Sequence, residues 1–312
     1  MDEIEQFTRI IFPKDPNQVW FRVFLIITAI FIITILYNRY ELYDYGEGFE
    51  QNESFVLKRN QDIYDPFYLE LYDKLHLPEN QSPILDSVVK MTMPSKKSVF
   101  LDVGTGTGVY ANSLKTAGYV VYGIDKSLSM VDYCSQKYPN LMVKHGDIMV
   151  PLTYDRNTFS HILCTHFTIY QIENKRAFFE NCYFWMTAGG CLILHLVDRD
   201  KFDPIIPAGK PAGVDTPQKY AKTRITDTYI DFVDFQYKAV YDFPNSKEAV
   251  FRESFTDTQT KHVRQNELAL YMEDANTILG IAQRCGFIVH GQVNMSDIGD
   301  EHQFIFVLQR TL

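Results

Sequence analysis

The stretch Leu101-Asp102-Val103-Gly104-Thr105-Gly106-Thr107-Gly108 constrains this chain more than any other. Three glycines at alternate positions follow a short apolar run, Ser98 to Val103, and open a helical pattern from Val109 to Ala117. Glycine lacks a Cβ, so the backbone there turns tightly and lets a ligand come close. A strand, glycine turn and helix in this order belong at the carboxyl edge of an open α/β sheet, where ligands bind. The alternation continues. Tyr119–Ile124, Leu141–Lys144, Phe159–Cys164 and Cys191–Val197 read as strands, and Leu128–Lys137 and Asn174–Met186 as helices. Nearly continuous apolar strands separated by helices predict a parallel sheet covered on both faces. With 46% hydrophobic and 22% charged residues, the chain has the composition of a packed core.

The charges around the glycines select the ligand. Dinucleotide enzymes space these residues GxGxxG and set a pyrophosphate on the helix N-terminus. Here the spacing is GxGxG, and Asp102 stands two residues before the first glycine. A carboxylate there repels a pyrophosphate and suits an ammonium group. Asp125, at the end of the second strand, is placed to accept from both ribose hydroxyls. S-adenosyl-L-methionine carries an amino group, a sulfonium and a ribose but no phosphate, so the pattern favours it over NAD.

On these residues the chain resembles the class I S-adenosylmethionine-dependent methyltransferases, especially their small-molecule group. The resemblance covers about residues 62–200 and resumes at 273–310. LDVGTGTG (101–108), GIDKSLSM (123–130), HGDI (145–148) and CYFWMTAGGCLILHLVD (182–198) match the family's motifs in order and spacing. The resemblance implies a Rossmann-like doubly wound seven-stranded sheet with its last strand antiparallel, which Gly286–Val293 and Gln303–Gln309 fit. It implies a cofactor site of Asp102, Gly104, Thr105, Gly106, Gly108, Asp125, Lys126, Met130, Asp147, Ile148 and Thr165. Asp125 would hold the ribose, Met130 pack near the adenine, and Asp147 accept from the adenine amine.

Methyl transfer from a sulfonium has an excellent neutral leaving group, so the enzyme mainly positions the acceptor and excludes water. An acceptor that must lose a proton adds the need for a base. His166 sits where the family places residues facing the methyl; Tyr170 follows it; Tyr64 falls in a segment like the family's N-terminal lid helix. These three are the catalytic candidates, though each could equally serve structure alone, as a packed histidine or a core aromatic. His195 and Asp198 end the fifth strand and are either pocket or scaffold, and His262 reads as solvent-facing. Residues 198–271 form an acceptor-side insertion, predicted as an antiparallel β meander of three runs, 229–242, 248–256 and 261–271, with alternating polar and apolar residues.

The N-terminal part adds a second expectation. Residues 23–37 are free of charge and apolar on every helical face. Counted from Val19 to Tyr40, a helix would reach about 33 Å, enough to span a bilayer. The acidic start (Asp2, Glu3, Glu5) argues against a signal peptide. A buried core helix or an interfacial hairpin would also accommodate the run. The expected organisation is a tail (1–18), a transmembrane helix (19–40), a linker (41–60) and a methyltransferase domain (61–312). Flanking Lys and Arg residues give a near tie for orientation. Cofactor supply places the catalytic domain on the cytosolic side of a single-pass membrane protein.

A net charge of −9 disfavours a nucleic-acid partner. Neither an Asx-Pro-Pro-aromatic motif nor a Pro-Cys of base methylation is found. Five scattered cysteines without a CxxC pair argue against disulfides and against a metal site. The expected function is methyl transfer to a small-molecule or lipid acceptor at a membrane. A protein acceptor, and an inactive cofactor-binding membrane scaffold, stay open, as does the oligomeric state.

Overall fold

The computed structural model describes residues 20, 23–34, 53–77, 82–210, 216–296 and 300–311. The chain divides into two compact units, Met1–Glu50 and Gln51–Leu312.

In the first unit, residues 23–34 are helical and almost wholly exposed. Among the described residues no helix is long and apolar enough to cross a membrane. The expected transmembrane helix over 19–40 is therefore corrected, and with it the membrane anchor, the membrane as a partner and the single-pass, cytosol-facing placement. An apolar count by itself does not set helix length. Positions 19, 21–22 and 35–40 lie outside the described residues.

The second unit contains a seven-stranded and a five-stranded sheet. Its elements in order are β1 (Phe55–Arg59), α1 (Pro66–His76), α2 (Ser82–Thr92), β2 (Val99–Val103), α3 (Val109–Thr116), β3 (Val120–Asp125), α4 (Leu128–Lys137), β4 (Met142–His145) and β5 (Phe159–Cys164). These are followed by α5 (Lys175–Trp185), β6 (Met186–Val197), β7 (Asp227–Asp231), β8 (Phe235–Asp242), β9 (Glu248–Asp257), β10 (Val263–Tyr271), α6 (Ala275–Arg284), β11 (Phe287–Met295) and β12 (Asp300–Arg310).

The larger sheet runs β11-β12-β6-β5-β2-β3-β4. Strands β4, β3, β2, β5 and β6 are parallel, and β12 is antiparallel to both β6 and β11. The parallel strands expected from the alternation, and the seven-stranded Rossmann-like sheet with its last strand reversed that the resemblance implies, are thus present. Its central strands are buried along almost their whole length, β2 as Phe100–Val103 and β6 from Gly190 onward. Phe100, Leu114, Val121, Leu163, Ile193 and Val307 join Ile84 and Val88 of α2 in one cluster that holds α2, α3 and α4 on the sheet. Side-chain caps set the helix starts: Asp65 accepts from Tyr68 N, Ser127 from Met130 N and Asn174 from Ala177 N.

The smaller sheet runs β1-β10-β9-β8-β7. It departs from the sequence reading twice. The run 229–242 is two strands, because the chain turns back at 232–234, where Phe232 N donates to Phe235 O. The turn residues Phe232, Val233 and Asp234 include no glycine or proline to mark it. Residues 55–59, inside the expected linker, pair in parallel with β10. The β10 edge supplies backbone partners that the local sequence of 55–59 does not reveal.

Candidate active site

The loop after β2 is built by its own backbone. Gly104 N and Thr105 N donate to Ile124 O at 2.9 and 3.1 Å, fastening the turn to the end of β3. Gly104 and Gly106 have φ of +64° and +53°. A Cβ on Gly104 would meet Thr168 Cγ2 at 2.6 Å, whereas one on Gly106 would meet no protein atom nearer than 4.0 Å. The second glycine therefore leaves open space, as a cradle for a ligand requires. Gly108 serves packing instead: it starts α3 in the left-handed region, and a Cβ there would collide with Cys134 Sγ.

Asp125 ends β3 with each carboxylate oxygen bound to one backbone N–H, from Gly106 (2.9 Å) and Ser127 (2.8 Å). Both oxygens keep lone pairs for further donors, such as ribose hydroxyls. Asp102 is 3% exposed and accepts only one side-chain hydrogen bond, from Thr105 Oγ1 at 2.9 Å. Burial, with the nearby Asp125 adding to it, pushes its pKa up to about 7. A buried acid without a countercharge is what an ammonium group would stabilise. Asp147 is tied to Lys126 Nζ at 2.9 Å and to Met149 N.

These residues surround one cavity of about 430 Å³, lined also by Met130, Ile148, Thr165, Tyr64 and Tyr72. Every expected cofactor residue except Gly108 lies on its wall. A second cavity, of about 400 Å³, adjoins it. Tyr64, Tyr72, Leu77, His166 and Gln171 line both. The second cavity extends under β8, β9 and β10 through Tyr241, Phe251, Leu268 and Leu270, and is closed by residues 202–208. The lid over the junction is α1 with the two residues before it. Tyr64, Tyr68 and Tyr72 form a ladder of rings 5.7–6.2 Å apart. Asp73 of the same helix accepts from Thr107 Oγ1 at 2.5 Å and pairs with Lys137 at 2.6 Å, clasping the lid to the glycine loop.

The catalytic candidates separate in space. His166 and Phe167, after β5, both have positive φ, 49° and 64°, a conformation non-glycine residues rarely adopt and one that clusters at functional sites. His166 faces both cavities, and its Nε2 is buried without a hydrogen bond. Burial, then His195 and His76, pushes its pKa down to about 3, so the imidazole is neutral. Tyr64 lies at the junction. Tyr170 does not: it lines neither cavity, and its buried hydroxyl accepts from Val197 N at 2.9 Å. His195 lines the second cavity, 2.7 Å from Gln303 Oε1. Asp198 and His262 line neither. Sequence reasoning missed Gln61 before α1, His76 at its end and Gln171 in the short helical turn after β5, none of which has a motif of its own. It also missed Glu253 beneath them.

Comparison with known proteins agrees with this geometry. Residues 100–190 match a family model described as a methyltransferase domain. Over 123 residues the chain is 26% identical to the ubiquinone biosynthesis O-methyltransferase of Coxiella burnetii, covering 38% of this chain and 52% of that protein. The chain thus spans about half the length of the curated relatives it matches. Among solved structures, the CcbJ methyltransferase of Streptomyces caelestis superposes with a TM-score of 0.61 at 14% identity, over 81% of this chain and 100% of that one. A S-adenosylmethionine-dependent methyltransferase of Clostridium acetobutylicum superposes with a TM-score of 0.60 at 14% identity, over 78% and 98%. The sheet, its order and the glycine loop are those of the class I S-adenosylmethionine-dependent methyltransferase fold. The cofactor is S-adenosylmethionine, and the residues present fit it: open space at Gly106, a free-sided carboxylate at Asp125 and an uncompensated one at Asp102.

Proposed function

We propose that this chain transfers the methyl group of S-adenosylmethionine to a small molecule held in the second cavity. The observation that carries this reading is the meeting of two cavities at Tyr64, Tyr72, His166 and Gln171. One cavity has the cofactor loop, and the other has an aromatic and aliphatic wall built by the insertion. The cofactor supplies an electrophilic methyl on a sulfonium. The chain supplies the rest. Asp125 and Asp147 orient the ribose and adenine, Asp102 neutralises the amino group, and the Tyr64–Tyr72 lid keeps water from the junction. A chamber of about 400 Å³ suits a small acceptor. Tyr64 and His166 are the junction residues proposed to position the acceptor; Tyr170 is proposed as a core tether.

Titration calorimetry of the full chain with S-adenosylmethionine and S-adenosylhomocysteine tests the reading. Micromolar binding of both is expected. Absence of binding to either would overturn it.

A further inference from the structure

A buried polar network backs the wall of the second cavity at Tyr68 and His76. Glu253, on β9, is 1% exposed. Its Oε2 accepts from the Tyr68 hydroxyl at 2.5 Å and its Oε1 from the Tyr237 hydroxyl at 2.7 Å. His76, the last residue of α1, places Nε2 3.0 Å from Oε1 and 2.9 Å from the Tyr68 oxygen. Burial pushes the Glu253 carboxyl up, but His76 and the hydrogen bonds from His76, Tyr68 and Tyr237 outweigh it and hold the pKa below the usual range. The group is thus an anion.

This network fixes a tautomer. A carboxylate only accepts, and the Tyr68 hydrogen is already given to Oε2. His76 Nε2 therefore carries the proton, and in the neutral ring Nδ1 carries the lone pair. His76 lines the second cavity beside Tyr72, with ring centroids 5.0 Å apart, and shares that chamber with His166 at the junction. A carboxylate behind the imidazole stabilises the imidazolium formed when Nδ1 takes a proton.

The rest of the wall defines what fits. Tyr64, Tyr72, Phe167, Phe202, Tyr241 and Phe251 present ring faces and edges. The two acids on the wall are occupied. Asp203 is held by Lys210 (3.0 Å), Thr216 (2.5 Å) and Ile205 N, and Asp300 by Gln303 (2.7 Å), Asp203 N and His302 N. On this wall Asp203 is ion-paired with Lys210, and Asp300 is held by three neutral donors. Lys210 is neutralised by Asp203, and Lys74 stands on the exposed rim.

We propose that the second cavity takes a neutral aromatic compound bearing a hydroxyl group, and that His76 Nδ1, set by Glu253, accepts the hydroxyl proton. This rests on the methyltransferase reading above. The hydroxyl oxygen forms the new bond to the methyl carbon. The carbon–sulfur bond breaks with its electron pair going to sulfur, and the proton passes from oxygen to Nδ1 and later to water. His76 is the catalytic residue and Glu253 a positioning residue.

Catechol, benzylamine and benzoate serve as neutral, cationic and anionic probes for the full chain. Calorimetry with S-adenosylhomocysteine comes first; failure of that step fells the cofactor reading and this proposal with it. With the cofactor product bound, catechol is expected to bind at least about tenfold tighter than the other two, about 1.4 kcal/mol. Label from S-adenosylmethionine is expected to pass to catechol. If benzylamine or benzoate binds or is methylated as well as catechol, or if catechol is not methylated while the homocysteine product binds, the proposal falls. His76→Ala is expected to lower kcat on catechol about a hundredfold, with S-adenosylhomocysteine affinity unchanged and activity restored by added imidazole. Glu253→Gln, nearly isosteric, is expected to fold and to lower kcat about tenfold without changing cofactor affinity. Normal kcat in both variants, or a loss that imidazole does not restore and that tracks cofactor affinity, would reduce the network to a structural clasp.

Discussion

The two halves of the site are made in opposite ways. The cofactor half runs from Asp102 to Asp147 with its key groups at the ends of adjacent parallel strands, so one short stretch of sequence carries nearly all of it. The proposed acceptor half brings His76 of α1, His166 after β5 and His195 of β6 to one chamber, with Glu253 of β9 behind His76, and none of these neighbours another in sequence. A ligand shared by many proteins is met by a local motif. A ligand particular to one protein is met by elements that differ in each chain.

Changes on the two sides should separate cleanly, and five variants or conditions sharpen the contrast. The largest effect is expected for Gly106→Val. Its Cβ points into open cavity and its φ of +53° is strained for valine, so cofactor affinity should fall by more than about a hundredfold. Gly108→Val should instead lower thermal stability, through the contact with Cys134. A Gly106 variant that unfolds while binding normally would reverse the assignment. Next comes Asp125→Ala, expected to weaken S-adenosylhomocysteine by about 1.5–3 kcal/mol through loss of a charged acceptor. Unchanged affinity in calorimetry would remove Asp125 from the ribose.

A pH titration probes Asp102. Its pKa of about 7 in the free protein is raised by burial, and an ammonium partner lowers it, so binding releases a proton below that value. Affinity should rise about tenfold between roughly pH 6 and pH 8 and level off above. The same shift works against folding, because the raised pKa means the folded protein holds the proton more tightly than the unfolded chain. That carboxyl's destabilising contribution is absent below the unfolded value of about 3.9 and complete above about 7. A flat affinity profile would separate the amino group from Asp102. The smallest effect is expected for Tyr170→Phe. Loss of the bond to Val197 N should cost about 1–2 kcal/mol in denaturant unfolding and leave cofactor affinity intact. A fall in kcat with unchanged stability would return Tyr170 to the chemistry.

Legibility followed the same division. Glycine spacing, Asp102 and Asp125 stand in a motif whose geometry is local, and each expected cofactor residue but Gly108 reaches the cavity. The insertion was legible as β but not in its strand count, since the turn at 232–234 carries no glycine or proline to mark it. The N-terminal apolar run passed a count of residues, yet among the described residues no helix is long and apolar enough to cross a membrane.

By itself the sequence determined the strand–helix alternation, the glycine turn and the two acids beside it, because these depend on backbone geometry and on charge within a few residues. Only the tertiary structure decided which aromatics wall the second chamber, which imidazoles face it, and that Glu253 meets His76 at 3.0 Å. Those contacts depend on how α1 and the five-stranded sheet pack together. Packing of elements 177 residues apart, as from His76 to Glu253, leaves no pattern in either segment alone.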